Sequence, residues 1–303
     1  MELPPEYAEA ARQGAASFPL FVPRGFLARM RKSDPADPLL LQVLPRAEEL
    51  AEVPGFSANP VGEDAAELLP GLLQKYAGRA LLVTTGACAV HCRYCFRRHF
   101  PYGEAPHSQA AWGPALALLA ADATIHEVLL SGGDPLMLVD ETLAALAGSL
   151  AEIPHLRRLR IHTRLPIVVP ERVCAELLDW LLGTRLTPIV VVHANHPAEI
   201  DADVAAALTR LVEAGIPVLN QAVLLRGVND DADVLALLCE RLVDLRVLPY
   251  YLHQLDRVAG AAHFEVPVAV GLRLMDHLRA RLPGYAVPRY VREVPGATRK
   301  VEL

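Results

Sequence analysis

Ala80-Leu81-Leu82-Val83-Thr84-Thr85-Gly86-Ala87-Cys88-Ala89-Val90-His91-Cys92-Arg93-Tyr94-Cys95 is the stretch that decides how this chain is read. Residues 80–84 are a short apolar run of strand length. Three thiols follow at once, spaced Cys-x3-Cys-x2-Cys, a pattern that suits a metal cluster better than a disulfide. An iron–sulfur cubane is usually held by four thiolates. Three leave one iron with coordination positions open to something other than protein, an arrangement for chemistry rather than for electron storage. Two other readings stay open on the residues alone. One is a structural zinc site completed by a further ligand such as His91 or His99; the other is a chance grouping of core cysteines.

Outward from this loop the chain alternates. Strand-like runs occupy 80–84, 127–130, 159–162, 189–192, 218–223 and 247–251, and amphipathic helical stretches occupy 109–120, 141–151, 170–182, 203–214 and 231–242. Short apolar strands alternating with helices make a parallel sheet covered by helices. Six such units predict an α/β fold, an incomplete (β/α)6 barrel whose active site lies at the C-terminal strand ends. The cysteines follow the first strand, where a barrel places a ligand loop. Residues 1–75, richer in Pro, Ala and Glu, are expected to form an N-terminal helical extension. Residues 76–270 form the barrel and 271–303 a C-terminal helix and terminal segment. No linker separates them, so one catalytic unit is expected.

Composition narrows the class. With five cysteines in 303 residues, no apolar leader behind a basic start and no run long enough to span a membrane, the chain reads as a soluble cytoplasmic protein. Cys174 and Cys239 sit on helical apolar stripes and are expected in the core. A net charge of −6 and a pI near 6.0 argue against a nucleic-acid binder, which normally shows a basic face. Small molecules are the expected partners. Arg93, Arg97, Arg98 and His99 make the cysteine loop locally basic, as a solvated charge run or as a holder of carboxylates and phosphates.

Two further motifs carry chemistry. Ser131-Gly132-Gly133-Asp134-Pro135-Leu136 follows the second strand; its glycines let backbone approach a ligand, and amides there can bind a polar group. Taken alone it also reads as an ordinary turn between strand and helix. Lys300 stands three residues from the C-terminus in Gly296-Ala297-Thr298-Arg299-Lys300, a context that by itself reads as a solvated surface residue.

The cysteine spacing, with an aromatic residue before the last cysteine, resembles the radical S-adenosylmethionine (SAM) superfamily, whose open iron chelates SAM. From about residue 18 onward the chain resembles the lysine 2,3-aminomutase family. The likeness rests on Thr84-Thr85-Gly86-Ala87 leading into Cys88, Cys92-Arg93-Tyr94-Cys95-Phe96-Arg97-Arg98-His99-Phe100-Pro101-Tyr102, the Ser131 motif, Asn220-Gln221-Ala222-Val223-Leu224-Leu225-Arg226-Gly227-Val228-Asn229-Asp230 and Leu248-Pro249-Tyr250-Tyr251-Leu252-His253. Residues 96–102 and 255–264 look most like the bacterial aminomutase that supplies (R)-β-lysine for modifying elongation factor P.

The resemblance implies a [4Fe-4S] cluster on Cys88, Cys92 and Cys95, and SAM held near Tyr94, Ser131, Gly132, Gly133, Asp134, His193 and Gln221. It implies pyridoxal 5′-phosphate (PLP) bound covalently to Lys300, with Arg79 and Lys75 at its phosphate. Only Gly296 of the family's glycine run before that lysine is present. Arg97 matches the arginine that pairs with the substrate carboxylate, Asp256 a carboxylate that receives the lysine ε-ammonium, and Glu293 a second one that is Asp in free-lysine aminomutases. A cation at one end and carboxylates at the other suit α-lysine, and PLP needs a lysine and phosphate donors. The implied reaction is radical migration of nitrogen from C2 to C3, with the protein positioning the reacting carbon and excluding water and oxygen.

The expected partners are L-lysine, an external electron donor, and, through a separate lysine ligase, elongation factor P. The chain stops just after Lys300 where free-lysine aminomutases continue, so a monomer or small homo-oligomer is expected. Competing readings are a radical SAM enzyme without PLP, an aminomutase for another amino acid such as glutamate, which would not need both Asp256 and Glu293, and a non-enzymatic metal protein.

Overall fold

A computed structural model describes residues 5–104, 108 and 110–303. Residues 1–4, where the expected N-terminal extension begins, and residue 109, the first of the helix expected over 109–120, lie outside the described residues. The chain enters through α1 (Pro5–Ser17), α2 (Arg24–Ala28) and α3 (Pro38–Leu41), then forms β1 (Glu67–Leu69), β2 (Leu72–Tyr76) and β3 (Arg79–Thr85). Helix and strand then alternate: α4 (Gly113–Ala121), β4 (Glu127–Gly132), α5 (Asp140–Ala151), β5 (Arg158–Thr163), α6 (Leu165–Val168), α7 (Ala175–Leu182), β6 (Thr187–Val192), α8 (Ala202–Glu213) and β7 (Val218–Leu224). The chain closes with α9 (Ala232–Asp244), β8 (Leu248–Gln254), α10 (Val268–Arg281), β9 (Arg289–Arg292) and β10 (Val301–Glu302).

The strands lie in one sheet in sequence order from β1 to β10. Neighbours from β3 to β9 pair in parallel, and the outer pairs are antiparallel. The sheet stays open between β1 and β10. The six expected barrel strands are all present, and β9 adds a seventh parallel strand from the segment expected to hold only a helix and a terminal lysine.

Two other differences have local causes. Residues 67–76 belong to strands, not to a helical extension. Leu72 and Leu73 are buried, and β2 pairs with β3, which supplies a partner that local composition does not advertise. The helix expected over 170–182 is broken, with a 3-10 turn at Pro170–Arg172 and the α-helix starting only at Ala175.

The alternation of side chains along each strand divides the molecule into two compartments. In β5, Leu159, Ile161 and Thr163 are buried while Arg158, Arg160 and His162 are only partly so. Leu159 and Ile161 join the core shared with α5 and α7, whereas Arg160 and His162 face a central cavity. In the same way Gln221 and Val223 of β7 and Tyr251 and His253 of β8 face the cavity, while Ala222, Leu224 and Leu252 pack under α9 and α10. Apolar burial of the helix-facing set holds the layers together, leaving the other set free for chemistry. Asp201 and Asp231 fix the starts of α8 and α9 by accepting from Val204 N at 2.9 Å and from Asp233 N and Val234 N at 2.9 and 3.0 Å.

Candidate active site

The cavity has a volume of about 760 Å³, and every site residue expected from the sequence lines it: the three cysteines, Tyr94 and Arg97, residues 131–134, His193, Gln221, Lys75, Arg79, Asp256, Glu293 and Lys300. Cys88, Ser131, His193 and Asp256 lie at or just after the C-terminal ends of parallel strands, whereas Lys75 and Arg79 come from the β2–β3 hairpin and Glu293 and Lys300 from the β9–β10 connection.

At one end sits the cysteine loop. Arg93, between Cys92 and Tyr94, is fully buried and forks onto Glu49, with Nε at 2.8 Å and Nη2 at 2.5 Å from the carboxylate. Arg98 donates to the same carboxylate at 2.9 Å. Arg93 Nη1 donates to Phe18 O at 2.8 Å, so the N-terminal segment clamps the loop from outside. The local basicity is therefore structural at Arg93 and Arg98. Burial, with repulsion from Cys95 and Cys92, pushes the Cys88 thiol far above its ordinary range, and burial pushes Cys95 up to about 11. Metal-free protein thus holds these two as neutral thiols, and metal uptake releases protons.

Three half-buried free thiols on one cavity wall fit a cluster. Among the described residues no three Cys, His, Asp or Glu side chains converge to hold a single metal ion; the corners of a cubane spread thiolates wider than one tetrahedral ion does. The histidines that a zinc site would recruit are engaged elsewhere. His91 Nδ1 contacts Pro19 O at 2.8 Å, and His99 Nε2 contacts Ala259 O at 3.2 Å.

The Gly-Gly-Asp segment is tied to that loop. Gly133 N donates to Thr85 O at 2.7 Å and Asp134 N to Ala87 O at 2.8 Å, so these two amides are spent on the chain leading into Cys88. Gly132 has φ +120, a conformation that favours glycine. The Asp134 carboxylate accepts from Thr163 Oγ1, Arg164 N, Leu165 N and Leu136 N at 2.6 to 3.2 Å. Burial pushes it up to about 6 against those donors, which leaves it ionised at neutral pH. Asp134 is thus a buckle between the β4 and β5 loops, its carboxylate engaged there while it lines the cavity beside Ser131, Gly132 and Gly133.

Arg97 is also partly committed. Its Nε and Nη2 fork onto Glu63 at 2.9 and 2.7 Å, and its Nη1 reaches Ser131 Oγ at 3.0 Å. A carboxylate arriving in the cavity meets the Nη1 edge of a guanidinium already balanced by Glu63.

The other end is built by β9 and β10. Val301 pairs with Arg292 and Glu302 with Val291, and Gly296, at φ +76, sits in the connection. This turns the chain back so that Lys300 faces the cavity instead of solvent. Its Nζ lies 2.5 Å from Glu293 Oε2. Glu293 Oε1 accepts from Tyr76 OH at 2.5 Å and lies 3.7 Å from Lys75 Nζ. Asp256 lines the same end, and burial, opposed by Lys300, pushes its carboxyl up to about 7. Arg79 lies with its guanidinium 4.7 Å from the Tyr76 ring, and Arg289 and Arg299 line the cavity as well. An amine, a wall of cations and a pair of close tyrosine rings (Tyr250 and Tyr251, centroids 3.8 Å apart and tilted by 33°) fit an anionic aromatic aldehyde such as PLP.

Between the two ends stand three histidines, His253 buried and His162 and His193 partly so. The Nε2 atoms of His162, His193 and His253 have no hydrogen-bond partner, and burial holds His193 down to about 4 and the other two well below the ordinary imidazole value. They are neutral groups with unused polar atoms facing a ligand space. Sequence reasoning singled out His193 alone. The signal for Arg160 and His162 was the polar residue at every second position of a buried strand; His253 sat inside a matched motif and drew no role.

The sequence profile of the Radical SAM superfamily matches residues 82–238, which run from inside β3 into α9. L-lysine 2,3-aminomutase of Haemophilus influenzae is 45% identical over 300 residues, 99% of this chain and 89% of that protein. That of Escherichia coli is 47% identical over 294 residues, 97% of this chain and 86% of that protein. The chain belongs to the L-lysine 2,3-aminomutase family. L-lysine 2,3-aminomutase of Clostridium subterminale is 37% identical over 301 residues, 98% of this chain and 72% of that protein.

Solved structures agree on the fold alone. SuiB of Streptococcus suis gives a TM-score of 0.52 at 12% identity over 73% of this chain and 50% of that one. A radical SAM methyltransferase from Sphaerobacter thermophilus gives 0.51 at 21% identity over 73% and 68%. This family member is an isomerase on a partial radical SAM barrel, and membership implies a [4Fe-4S] cluster and SAM. Among the described residues no helix is long and apolar enough to cross a membrane.

Proposed function

We propose that this aminomutase uses PLP as well as the cluster and SAM, and converts L-α-lysine to (R)-β-lysine for the modification of elongation factor P in the cytoplasm, with an external electron donor reducing the cluster. The observation that carries the reading is that Cys88, Cys92, Cys95 and Lys300 line one cavity, with Asp256 and Glu293 beside Lys300.

When bound, SAM and the cluster supply a carbon radical, and PLP supplies a conjugated ring that stabilises radicals next to nitrogen. The chain's own residues do the rest. Cys88, Cys92 and Cys95 hold the cluster as thiolates. Tyr94, Ser131, Gly132, Gly133, His193 and Gln221 form the wall for SAM, and Asp134 keeps that wall in register by locking the loops behind it. Lys300 holds PLP, with Arg79 and Lys75 near its phosphate. Arg97 offers its Nη1 edge to the substrate carboxylate, while Asp256 and Glu293 receive the ε-ammonium. Charge of opposite sign at the two ends fixes lysine lengthwise, which brings its reacting carbon into one place instead of several.

The test is an anaerobic assay of reconstituted, reduced protein with PLP, SAM and L-lysine, with β-lysine followed by chromatography beside a Cys92→Ala control. β-Lysine should form only with the intact cluster. Deoxyadenosine without β-lysine would remove the substrate assignment, and wild-type protein without a pyridoxal absorbance that Lys300→Ala abolishes would remove PLP.

A further inference from the structure

We propose that Arg164 sets the reduction potential of the cluster by donating to the sulfur of Cys92, and that Glu199 offsets it. The proposal rests on the reading that Cys88, Cys92 and Cys95 carry a cluster.

Arg164 is the residue immediately after β5, and its backbone N–H is held by Asp134 at 2.6 Å. Its side chain is 6% exposed. Nη2 donates to Gln42 Oε1 at 2.7 Å and to Glu199 Oε2 at 3.0 Å. Nη1 donates to Tyr94 OH at 2.5 Å and to Cys92 Sγ at 2.7 Å. The partners are themselves fixed. Glu199 Oε1 accepts from Gln42 Nε2 at 3.0 Å, Asn195 N at 2.9 Å and His196 N at 3.1 Å. Asn195 Nδ2 donates to Gln42 Oε1 at 2.9 Å and Tyr94 OH at 2.6 Å.

The guanidinium is therefore oriented by Gln42 just after α3, by the β6–α8 connection and by the cysteine loop itself. One face of the fork is neutralised by Glu199 and the other is aimed at a thiol that the cluster needs as thiolate. Nothing in the proposed handling of lysine or PLP uses this arginine.

A hydrogen bond to a ligating sulfur draws electron density from the cluster, and a nearby buried cation favours the form with one more electron. Both effects make reduction easier. The electron comes from an external reductant, the cluster changes from the 2+ to the 1+ state, and no bond is made or broken at Arg164. Because Arg164 acts through Cys92 it is a positioning residue. Glu199, as the compensating anion at the far side of the same guanidinium, must act in the opposite direction. A merely structural network has no reason to give opposite signs.

The test is an anaerobic redox titration of reconstituted holoprotein without SAM, with dithionite as reductant and the paramagnetic 1+ cluster followed by electron paramagnetic resonance, on wild type, Arg164→Met, Arg164→Lys and Glu199→Gln. At the wild-type midpoint Arg164→Met should show at least a tenfold lower ratio of reduced to oxidised cluster, which for a one-electron couple is a shift of about 59 mV to more negative potential. Arg164→Lys should recover part of the shift, and Glu199→Gln should move the midpoint positive.

Unmoved midpoints at wild-type iron and sulfide content overturn the proposal, as do shifts of the same sign in Arg164→Met and Glu199→Gln. If Arg164→Met fails to retain iron, the sign of the Glu199→Gln shift decides. Wild-type protein that takes up no iron and sulfide overturns the cluster reading and this proposal together; a wild-type cluster whose potential ignores both residues overturns only this one.

Discussion

Glu293 and Lys300 face each other across the β9–β10 connection, with Nζ 2.5 Å from Oε2, and Tyr76 holds the other carboxylate oxygen at 2.5 Å. Burial would raise the Glu293 carboxyl, but Lys300, Tyr76 and Lys75 together hold it below its ordinary value. The stability this contributes is present above the unfolded carboxyl pKa and is lost as pH falls through the folded one. In the ligand-free protein Glu293 thus already serves an ammonium, that of Lys300, and a substrate ε-ammonium competes for the same oxygen. Glu293→Gln should cost about 1–2 kcal/mol of stability at pH 7. It should raise the KM for L-lysine by roughly 10–100-fold, the worth of one charge-assisted hydrogen bond. Pyridoxal absorbance at Lys300 should persist, and steady-state assays beside a denaturant melt check both effects.

Asp256 pulls the other way. Its pKa is raised to about 7 by burial, so the folded chain binds a proton there that the unfolded chain has released. Stability is therefore lost as pH rises from the unfolded value toward 7 and stays reduced above it. Asp256→Asn should stabilise the ligand-free protein by up to about 4 kcal/mol at pH 8, with the gain vanishing near pH 4, while β-lysine formation collapses. In wild type the KM for lysine should fall as pH rises through 7, because the ammonium needs the carboxylate ionised. Melts of metal-free protein across pH and a pH series of KM test the two halves separately.

Glu49 is the anchor of the cysteine loop. It is completely buried between Arg93 and Arg98, which are themselves 0% and 2% exposed. Both guanidinium groups also lie against the Phe18 ring, at 4.8 and 4.9 Å. Glu49→Ala leaves two uncompensated buried cations, a change that costs about 3–5 kcal/mol. It should also loosen the segment between Cys92 and Cys95, so that the variant loses iron on desalting while wild type retains it. A double variant with Arg93→Met should recover part of the stability.

The cysteine spacing and the strand–helix alternation made the barrel and its first loop legible, because both depend on local sequence. Lys300 drew its role from resemblance alone, since nothing near it signals that β10 folds back on β9 to turn it inward. The pairings that change the picture were invisible for a physical reason. Glu63 meets Arg97, and Gln42 meets Arg164, only once residues far apart in sequence are brought together, and neither position has a pattern of its own. Leu72–Tyr76 was missed because a short antiparallel strand takes its conformation from the strands it pairs with, here β1 and β3. Arg160 and His162 were readable in principle, since Arg-Leu-Arg-Ile-His-Thr alternates as a strand with a polar cavity on one side would.

Gly133 tests whether the β4 loop and the cysteine loop are one unit. A Cβ at this position would lie 2.3 Å from Ala87 O and 2.7 Å from Gly86 C, both backbone atoms that cannot rotate aside. The same residue donates to Thr85 O, so the two loops cannot separate without losing that bond. Gly133→Ala should cost at least about 1–3 kcal/mol by overpacking and push the segment entering Cys88 out of place, lowering iron content. Gly148 in α5 is the control, with nothing within 4 Å of an added Cβ; Gly148→Ala should leave iron content unchanged and raise stability by about 0.5–1 kcal/mol through helix propensity. Melting curves and iron analysis on the pair check this, and full iron content in Gly133→Ala would show that the cysteine loop stands without its neighbour.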